Sequence, residues 1–331
     1  MEIVSIEENI GVPKYKQIVA SVEDAISNGH LKKGDRLPSV NNLRDKHSLS
    51  RDTVLSAFNE LKTRGIIHSV VGKGYYVSTS SIKVVQKIFL LFDELNSFKE
   101  DLYNSFLDKL DNDIQVDIFF HHFNYNVFSK LIHDNNGNYT NYVIMPSNLR
   151  NAHLAINKLP KDKICILDQT NEDLSQYSAL YQNFEKDIYT NLAKGLILIK
   201  KYEKLVLVFN DKQPQGMLNG FNMFIDNYGV SGEVINSLNG KPLLKGEIYI
   251  IPDDKTLLRI IKKIKREQLI IGKDIGIISY NDTLLKEIVE GGITTISTNF
   301  NTMGERLAQM VTNKEESKIE NPSDLILRKS L

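Results

Sequence analysis

The N-terminal part of the chain places apolar side chains at helical spacing in three separate stretches. Ser39 and Ser50 precede the second and third stretches, where a serine hydroxyl can accept a hydrogen bond from an unpaired amide at a helix N-terminus. The pattern therefore predicts three helices, over about 13–28, 39–46 and 50–64. The third of them carries one apolar stripe, formed by Val54, Ala57, Phe58 and Leu61.

Two short apolar runs follow the third predicted helix, Ile66-Ile67 and Tyr75-Tyr76-Val77, on either side of Gly72-Lys73-Gly74. Glycine adopts the positive φ angles of tight turns without steric cost, so this segment predicts a β-hairpin. Two helices joined by a short turn and followed by a hairpin form a winged helix-turn-helix, which places one helix in the DNA major groove.

Beyond about residue 84, apolar runs of strand length alternate with amphipathic stretches long enough for helices. The strand-like runs are 84–92, 114–120, 142–145, 164–167, 205–209, 247–251 and 275–279, and the clearest helical stretches are 98–110, 257–266 and 303–311. Nearly continuous apolar strands alternating with helices predict an α/β domain whose parallel sheets are covered on both faces. About 250 residues suffice for two such lobes. We expect a DNA-binding domain over 1–80, a linker over 81–84 and a two-lobed domain over 85–331.

Charge adds information only through its distribution. The 331 residues carry 41 basic and 41 acidic side chains, hence no net charge, and 41% of residues are hydrophobic, which is ordinary for a globular protein with a core. Between Lys32 and Lys73, however, nine basic residues stand against four acidic ones. A solvated surface accounts for such an excess by itself. Its coincidence with the helix-turn-helix pattern favours contacts with DNA phosphates.

Cysteine content and apolar run lengths restrict the class of protein further. Cys165 is the single cysteine, which excludes a disulfide framework and a cysteine-based zinc site. The first residues lack the basic and apolar regions of a signal peptide, and no apolar run reaches the ~18–20 residues of a membrane span. We therefore expect a cytoplasmic protein.

Four segments resemble the N-terminal domain of the GntR family of bacterial transcription regulators: KYKQI at 14–18, LKKGDRLPS at 31–39, LSRDTV at 49–54 and GKGYYV at 72–77. The resemblance implies contacts with operator DNA by Arg36, Ser39, Arg44, Ser50, Arg51, Asp52, Thr53, Gly72, Lys73 and Gly74. Arg51 suits a guanine edge or a phosphate; the alternative is a surface salt bridge with Asp52 or Glu60. Leu55 stands where relatives often have a second arginine, so base recognition differs in detail.

The large domain resembles the sugar-binding domain of the lactose-repressor family, which is similar to periplasmic binding proteins. The resemblance lies in IGKDIGIISYND at 271–282, GITTISTNFNTMGERLAQMV at 292–311, QGMLNGF at 215–221 and LILRKSL at the end of the chain. It implies two α/β lobes, a small-molecule effector in the crevice at the carboxyl ends of the strands, and a homodimer assembled through this domain.

Polar and aromatic side chains at predicted strand ends are the candidates for effector binding. The nine that we select are Asp93, Asn96, Phe98, His122, Asp168, Phe184, Asp254, Asn281 and Asp282. Carboxylates and amides exchange hydrogen bonds with sugar hydroxyls, and an aromatic ring covers the apolar side of a sugar. For each residue alone, a solvated loop position is the alternative. Met217 replaces the arginine that usually binds ring hydroxyls in such repressors, which leaves the effector unnamed.

Metal binding and catalysis find little support in the sequence. His121 and His122 are adjacent on a predicted strand, so they point to opposite faces, and no third ligand is evident. The chain lacks HExxH, G-x-S-x-G, P-loop and G-x-G-x-x-G motifs. We expect no metal, no cofactor and no enzymatic activity.

The sequence thus predicts a DNA-binding transcription regulator, a repressor of a carbohydrate-utilisation operon that a small sugar releases or re-orients. A sensor of a non-sugar metabolite, or an activator of the same architecture, is the nearest alternative. Two further alternatives are an enzyme acting on a sugar with the DNA-binding domain used for autoregulation, and an architectural DNA-binding protein whose large domain only dimerises.

Overall fold

A computed structural model of the chain describes residues 3–8, 11–79 and 86–331. Residues 3–8 and 11–79 form a small N-terminal unit, which we call the reader. Residues 86–331 form two α/β lobes, which we call the near lobe and the far lobe according to their order from the reader along the chain. The linker expected over 81–84 lies outside the described residues.

The reader is a three-helix unit with a two-stranded wing. Its elements are α1 (Lys14–Ser27), α2 (Val40–Lys46), α3 (Arg51–Thr63) and the antiparallel strands β1 (Ile67–Val70) and β2 (Gly74–Val77). Ser39 and Ser50 are the N-caps of α2 and α3, and each side chain accepts a backbone amide hydrogen bond of 3.1 Å. The predicted apolar stripe of α3 is buried in the core of the reader. The predicted winged helix-turn-helix is confirmed.

The near lobe is built on a six-stranded sheet in which every neighbouring pair is parallel. Its strands are β3 (Lys87–Phe92), β4 (Gln115–Phe120), β5 (Asn141–Ile144), β6 (Ile164–Asp168), β7 (Ser178–Tyr181) and β13 (Lys318–Glu320), in the order β13-β7-β6-β5-β3-β4. The helices that cover it are α4 (Ser97–Asp108), α5 (Tyr125–Asn135), α6 (Ala152–Ile156) and α12 (Phe300–Thr312).

The far lobe has a second six-stranded sheet. Its strands are β8 (Lys204–Val208), β9 (Gly232–Ile235), β10 (Glu247–Ile251), β11 (Gly276–Tyr280), β12 (Thr294–Thr298) and β14 (Ser323–Ile326), in the order β14-β12-β11-β10-β8-β9. Its helices are α7 (Phe184–Lys194), α8 (Leu196–Ile199), α9 (Gln215–Tyr228), α10 (Asp254–Arg266) and α11 (Leu284–Ile288).

One strand departs from the predicted parallel arrangement. Strand β14 pairs antiparallel with β12, whereas the other neighbours in this sheet are parallel. The chain passes between the lobes after β7, after β12 and after β13. The last passage is only two residues long, so β14 enters the far lobe from its crevice end and must run in the opposite direction.

Alternation along β3 explains how the near lobe buries both faces of its sheet. Ile88, Leu90 and Phe92 pack into one apolar cluster with α4 and α12, whereas Phe89 and Leu91 pack into another with α5 and α6. All five are fully buried. A strand that is covered on both sides reads as a continuous apolar run, which is why these strands were predictable. No helix among the described residues is long and apolar enough to cross a membrane.

Candidate functional site

The first turn of α3 projects from the reader, and Arg51 is exposed there. The alternative to DNA contact was a surface salt bridge between Arg51 and Asp52 or Glu60. Glu60 pairs with Arg64 instead, at 3.4 Å. Within the described part of the chain Arg51 makes no ion pair, so its guanidinium is available to an outside group. An arginine at the start of a helix can reach a base edge or a phosphate when that helix enters a groove.

Ser50 and Thr53 are already engaged with each other. The Ser50 hydroxyl accepts a hydrogen bond from the Thr53 amide at 3.1 Å and lies 2.8 Å from the Thr53 hydroxyl. The Thr53 amide is therefore used by the cap and cannot donate to a DNA phosphate without breaking it. Asp52 is exposed beside them. The hydroxyls remain at the helix N-terminus, where the helix dipole favours anions.

The remaining DNA candidates lie in α2 and in the wing. Ser39 serves as the cap of α2, and Arg44 donates to Asp45 at 2.7 Å, a bond that raises the pKa of Arg44 and partly offsets its charge. Arg36 packs beside the start of β2: a β-carbon on Gly74 would lie 3.4 Å from its Nε. Gly72 and Gly74 have φ angles of 75° and 117°, as a tight wing tip requires. Lys73 is exposed between them.

A crevice separates the two lobes at the carboxyl ends of their parallel strands. It contains a cavity of about 660 Å³ lined by residues of both lobes. A second cavity of about 1100 Å³ adjoins it and shares Gln169, Gln182, Phe184, Gln213 and Pro214. The crevice is therefore roomy enough for a small metabolite. A further cavity of about 430 Å³ lies at the opposite, amino ends of near-lobe strands and includes none of the predicted effector residues.

Seven of the nine predicted effector residues line the 660 Å³ cavity. They are Asp93, Asn96, Phe98, Asp168, Phe184, Asp254 and Asn281. His122 and Asp282 are not among its lining residues. His122 is exposed and its ring stacks on Phe120 with the centroids 6.1 Å apart.

Asp282 is the clearest departure from the sequence expectation. Arg328 donates two hydrogen bonds to its carboxylate, of 2.6 and 2.7 Å, and the Thr295 hydroxyl donates a third of 2.9 Å. Burial acts to raise its pKa, but these bonds outweigh burial and leave the pKa below the ordinary value. The Asp282 carboxylate thus ties the loop after β11 to the C-terminal segment instead of facing the crevice.

A buried ion pair forms one wall of the cavity. Lys99 donates to Asp93, and the side chains of both residues are under a tenth exposed. The Ser147 hydroxyl donates to the second carboxylate oxygen of Asp93 at 2.8 Å. The Lys99 ammonium is therefore matched by Asp93. The sequence did not single out Lys99, because a lysine in the first turn of an amphipathic helix has the pattern of a solvent-exposed residue.

Asp168 ends β6 in a left-handed conformation with φ of 73° and is 8% exposed. Gln182 donates to one of its carboxylate oxygens at 2.6 Å. Burial raises the pKa of Asp168, and the nearby Lys99 ammonium acts against burial. A carboxyl held in this way at a cavity wall can exchange a short hydrogen bond with a ligand hydroxyl. Gln182 follows β7, a strand that the sequence pattern did not predict.

On the far-lobe side, Lys286 organises the loop that bears Asn281. Its ammonium donates to the carbonyls of Tyr280 at 2.6 Å and Asn281 at 2.7 Å and pairs with Asp254 at 2.9 Å. Asn281 has φ of 60°. Its amide oxygen and the Tyr280 hydroxyl are buried and have no hydrogen-bond partner in the described part of the protein. Both residues line the cavity, which makes these two unpaired atoms candidates for ligand contacts.

Several polar residues at strand ends have a local structural role. Asn96, Asn124 and Asp253 are the N-caps of α4, α5 and α10, and each accepts backbone amide hydrogen bonds. The oxygen that caps a helix is partly occupied, so Asn96 offers the crevice mainly its amide nitrogen. Cap residues and ligand-binding residues share the same chemistry, which is why the sequence could not separate them.

The lobes touch each other across the crevice through the loop after β8. Lys212 of this loop lies 3.9 Å from the Glu94 carboxylate and 4.9 Å from the centre of the Phe123 ring. Asn148 of the near lobe donates to the Asp211 carbonyl at 3.3 Å. The residues of the first contact, Glu94, Phe123 and Lys212, line the 660 Å³ cavity, whereas Asn148 and Asp211 line the second cavity.

The structure gathers no set of three or more possible metal ligands among the residues that it describes. His121 is fully buried, its Nε2 lies 3.0 Å from the Met145 carbonyl, and burial lowers its pKa. The prediction that both histidines lie on the strand is wrong: β4 ends at Phe120, and His122 has φ of 49°, so the two residues belong to the turn that follows the strand.

Two parts of the chain match known protein families. Residues 14–77 match the bacterial regulatory proteins of the gntR family, and residues 203–331 match the periplasmic binding protein-like domain. The first match covers most of the reader, and the second covers most of the far lobe together with α12 and β13 of the near lobe.

Among curated proteins, the HTH-type transcriptional repressor YtrA of Bacillus subtilis is 30% identical over 106 residues, which are 32% of this chain and 78% of that protein. The mannosyl-D-glycerate transport/metabolism system repressor MngR of Escherichia coli is 35% identical over 96 residues, which are 29% of this chain and 38% of MngR. For MngR, therefore, less than half of the relative is matched.

Solved structures resemble the two lobes. A LacI family regulator from Enterococcus faecium with bound ribose has a TM-score of 0.60 at 17% identity, covering 74% of this chain and 98% of its own. A dimeric Lac repressor has a TM-score of 0.62 at 14% identity, with 74% and 98% covered. At this identity the likeness establishes the fold, and it confirms the two-lobed architecture that the sequence predicted.

Proposed function

Because the chain belongs to the gntR family of bacterial regulatory proteins, we propose that it represses a carbohydrate-utilisation operon and leaves its operator when a small sugar binds between the lobes. The observation that carries this proposal is the presence on one chain of an exposed Arg51 at a helix N-terminus and a crevice lined by buried polar groups. The first feature suits DNA and the second suits a hydroxylated metabolite.

The crevice chemistry supports a hydroxyl-rich effector. Asp168 accepts or donates a hydrogen bond according to its protonation, while the Asn281 oxygen accepts and the Tyr280 hydroxyl does both. Phe98 and Phe184 line the same cavity and can cover the apolar side of a sugar ring. The name of MngR refers to mannosyl-D-glycerate, and the Enterococcus faecium regulator has ribose bound, which is consistent with this class.

One observation favours a second candidate effector. Met217 lies on the cavity wall and is 2% exposed, where similar repressors carry an arginine. A thioether offers an apolar contact and no hydrogen-bond donor. This favours a metabolite with fewer hydroxyls, or a non-sugar metabolite with an apolar side.

We also propose that the protein acts as a homodimer on operator DNA in the cytoplasm, without catalysis or a cofactor. Paired readers would bind two half-sites, whose spacing reflects the geometry of the dimer. Leu284 and Ile288 of α11 are 79% and 76% exposed, and Leu285 of the same helix is 40% exposed. A cluster of exposed leucine and isoleucine side chains is typical of a protein interface. Closure of the lobes around the effector would change the spacing of the readers.

A thermal-shift panel tests the effector proposal. Ribose, mannosyl-D-glycerate, arabinose, galactose and sucrose are each added at millimolar concentration, and a ligand at 100 times its Kd adds about 2.7 kcal/mol to stability. We expect at least one compound to raise the Tm of the wild type and of Asp226→Asn, an exposed control. The shift should shrink in Asp168→Asn. A panel without any shift contradicts a sugar effector and favours either the apolar metabolite or a purely dimerising domain.

A further inference from the structure

The reader contacts the near lobe where two glycines leave no room for side chains. A β-carbon on Gly11 would lie 2.8 Å from Nδ2 of Asn136 and 3.4 Å from the Lys158 carbonyl oxygen. Across the same junction, a β-carbon on Gly137 would lie 2.9 Å from Cγ1 of Val12. Both glycines have positive φ, 71° and 76°. Residues 11–16 of the reader therefore pack directly on the loop that follows α5.

This loop is held to the near-lobe sheet by hydrogen bonds that do not involve the reader. The amide of Gly137 donates to the Tyr142 hydroxyl at 2.8 Å, and that hydroxyl donates to the Asn135 carbonyl at 3.0 Å. Asn136 donates to the Lys158 carbonyl at 2.9 Å. Because Tyr142 is fully buried in β5, these bonds attach the loop to the core of the near lobe.

Lys16 of the reader also lies in this junction. Its Cδ would be 3.4 Å from a β-carbon on Gly137. Burial lowers the pKa of Lys16, and the Glu60 carboxylate acts against burial. Lys16 is therefore a partly buried cation of the reader whose stem approaches Gly137.

Helix α5 joins this surface to the crevice. Phe123, which lines the 660 Å³ cavity and lies under the Lys212 ammonium of the far lobe, immediately precedes the cap of α5. The helix has 11 residues, hence a length of ~16 Å, and buries Phe128 and Ile132 in the core of the near lobe. One end of α5 therefore meets the far lobe and the other end meets the reader.

We propose that the Asn136–Gly137 loop is a docking surface for the reader of the same chain, and that α5 transmits the position of the far lobe to it. The docking of the reader on this loop does not require an effector. The regulation of that docking rests on the proposed function, in which an effector moves the lobes. In this arrangement the near lobe controls the orientation of the reader directly, in addition to any change in dimer spacing.

A cysteine pair tests the docking. The β-carbon position of Gly137 lies 3.8 Å from Cβ of Val12, which is the mean Cβ–Cβ distance of a disulfide. Val12→Cys with Gly137→Cys is placed in a glutathione buffer, where oxidised glutathione takes up the two hydrogens as the bond forms. Cys165 is buried and does not compete. We expect a disulfide within one chain, seen as a faster band on a non-reducing gel.

The matched control is Val12→Cys with Gly240→Cys. Gly240 has φ of 74°, and a β-carbon there would meet nothing within 4 Å, so it reproduces the backbone strain without the contact. A bond confined to the Gly137 pair and internal to one chain supports the proposal. Failure of that pair to link, or linkage only between two chains, overturns it. On the unmodified protein, a short amine-reactive cross-linker should join Lys16 to Lys158, and absence of that link overturns docking without relying on a variant.

Lys212→Ala tests transmission through α5. Without the Lys212 ammonium over the Phe123 ring, the disulfide between positions 12 and 137 should form about fivefold more slowly. Fivefold is the lower end of the usual energetic coupling between two sites of a protein. Lys255→Ala removes another lysine that lines the same cavity and should leave the rate unchanged. Equal rates in the two variants overturn the role of α5. If no sugar in the thermal-shift panel raises the Tm, the proposed function is contradicted. The rates of disulfide formation in these variants do not depend on that result.

Discussion

Arg328 donates two hydrogen bonds of nearly equal length, 2.6 and 2.7 Å, to the carboxylate of Asp282, which lies 46 residues earlier in the chain. Both side chains are largely buried, at 16% and 25% exposure. A paired arginine–carboxylate contact of this kind is among the stronger polar interactions in proteins. It anchors the C-terminal segment to the loop that follows β11, next to the residues that line the crevice.

Asp282→Asn should therefore reduce stability, by about 1.5–3 kcal/mol for the loss of hydrogen bonds to a charged group, and should leave effector affinity unchanged. Because the folded protein holds the pKa of Asp282 below its ordinary 3.8, the carboxylate stabilises the fold at neutral pH. That contribution disappears as pH falls through the lowered pKa. Urea unfolding at pH 7 and pH 3 measures it. A variant as stable as the wild type at pH 7 contradicts the assignment.

Periodicity predicted the elements whose burial is regular. The stripe on α3 and the doubly covered strands β3, β6 and β10 are apolar because each is packed on the sides that the pattern implies. Strands β7, β9, β13 and β14 were not predicted, because each has only three or four residues and at most two of them are buried; β9 alternates between exposed and half-buried positions. For such short elements the sheet, rather than local propensity, decides the conformation.

The crevice was predictable only in part. Parallel strands bring their carboxyl ends together, so Asp93, Asp168 and Asn281 could be placed in one site from the sequence. The inward position of Lys99 depends on its partner Asp93, and the outward position of Asp282 depends on Arg328. Partner choice between residues distant in sequence is a tertiary property that no local pattern contains.

Arg51→Ala should weaken specific operator binding. An arginine that reaches a base edge is worth about 1–3 kcal/mol, hence roughly 5- to 150-fold in affinity for the specific sequence. Lys62→Ala, an exposed cation in the last turn of the same helix, is the matched control and should bind the operator almost as the wild type does. Fluorescence anisotropy with operator and scrambled duplexes reports both. If Arg51→Ala also loses effector affinity, a folding defect explains the result.

Leu284→Asp with Ile288→Asp should convert the proposed dimer to a monomer, because two carboxylates would have to be desolvated in the interface. The expected readout is half the mass by analytical ultracentrifugation, together with weaker binding to a two-half-site operator. Ile197→Asp, at a side chain that is 81% exposed on α8, controls for loss of surface apolar area. A doubly substituted protein that sediments as a dimer places the interface elsewhere.

Asp187→Asn should stabilise the protein at neutral pH. Asp187 is 5% exposed, and its pKa is raised to about 6, chiefly by burial. Between about pH 4 and 6 the unfolded chain has released this proton while the folded chain retains it, so stability falls as pH rises through that window. Each pH unit between the ordinary pKa of 3.8 and the raised pKa of about 6 is worth ~1.4 kcal/mol. Removing the ionisable group should therefore add about 2–3 kcal/mol to the free energy of unfolding at pH 7.5 and almost nothing at pH 3.5. Parallel Tm curves for both proteins across this range would contradict the prediction.

The ion pair of Lys99 and Asp93 should contribute more to the shape of the crevice than to net stability. Lys99→Met leaves a buried Asp93 carboxylate without its cation, and Asp93→Asn leaves a buried ammonium, so each should cost about 3–5 kcal/mol. The double variant removes both charges and should recover most of that loss, since the two desolvation penalties vanish together. Urea unfolding of the four proteins gives the coupling energy between the two side chains. Strictly additive losses would mean that the two side chains do not stabilise each other, and the pair would then have no role in holding Ser147 and the cavity wall in place.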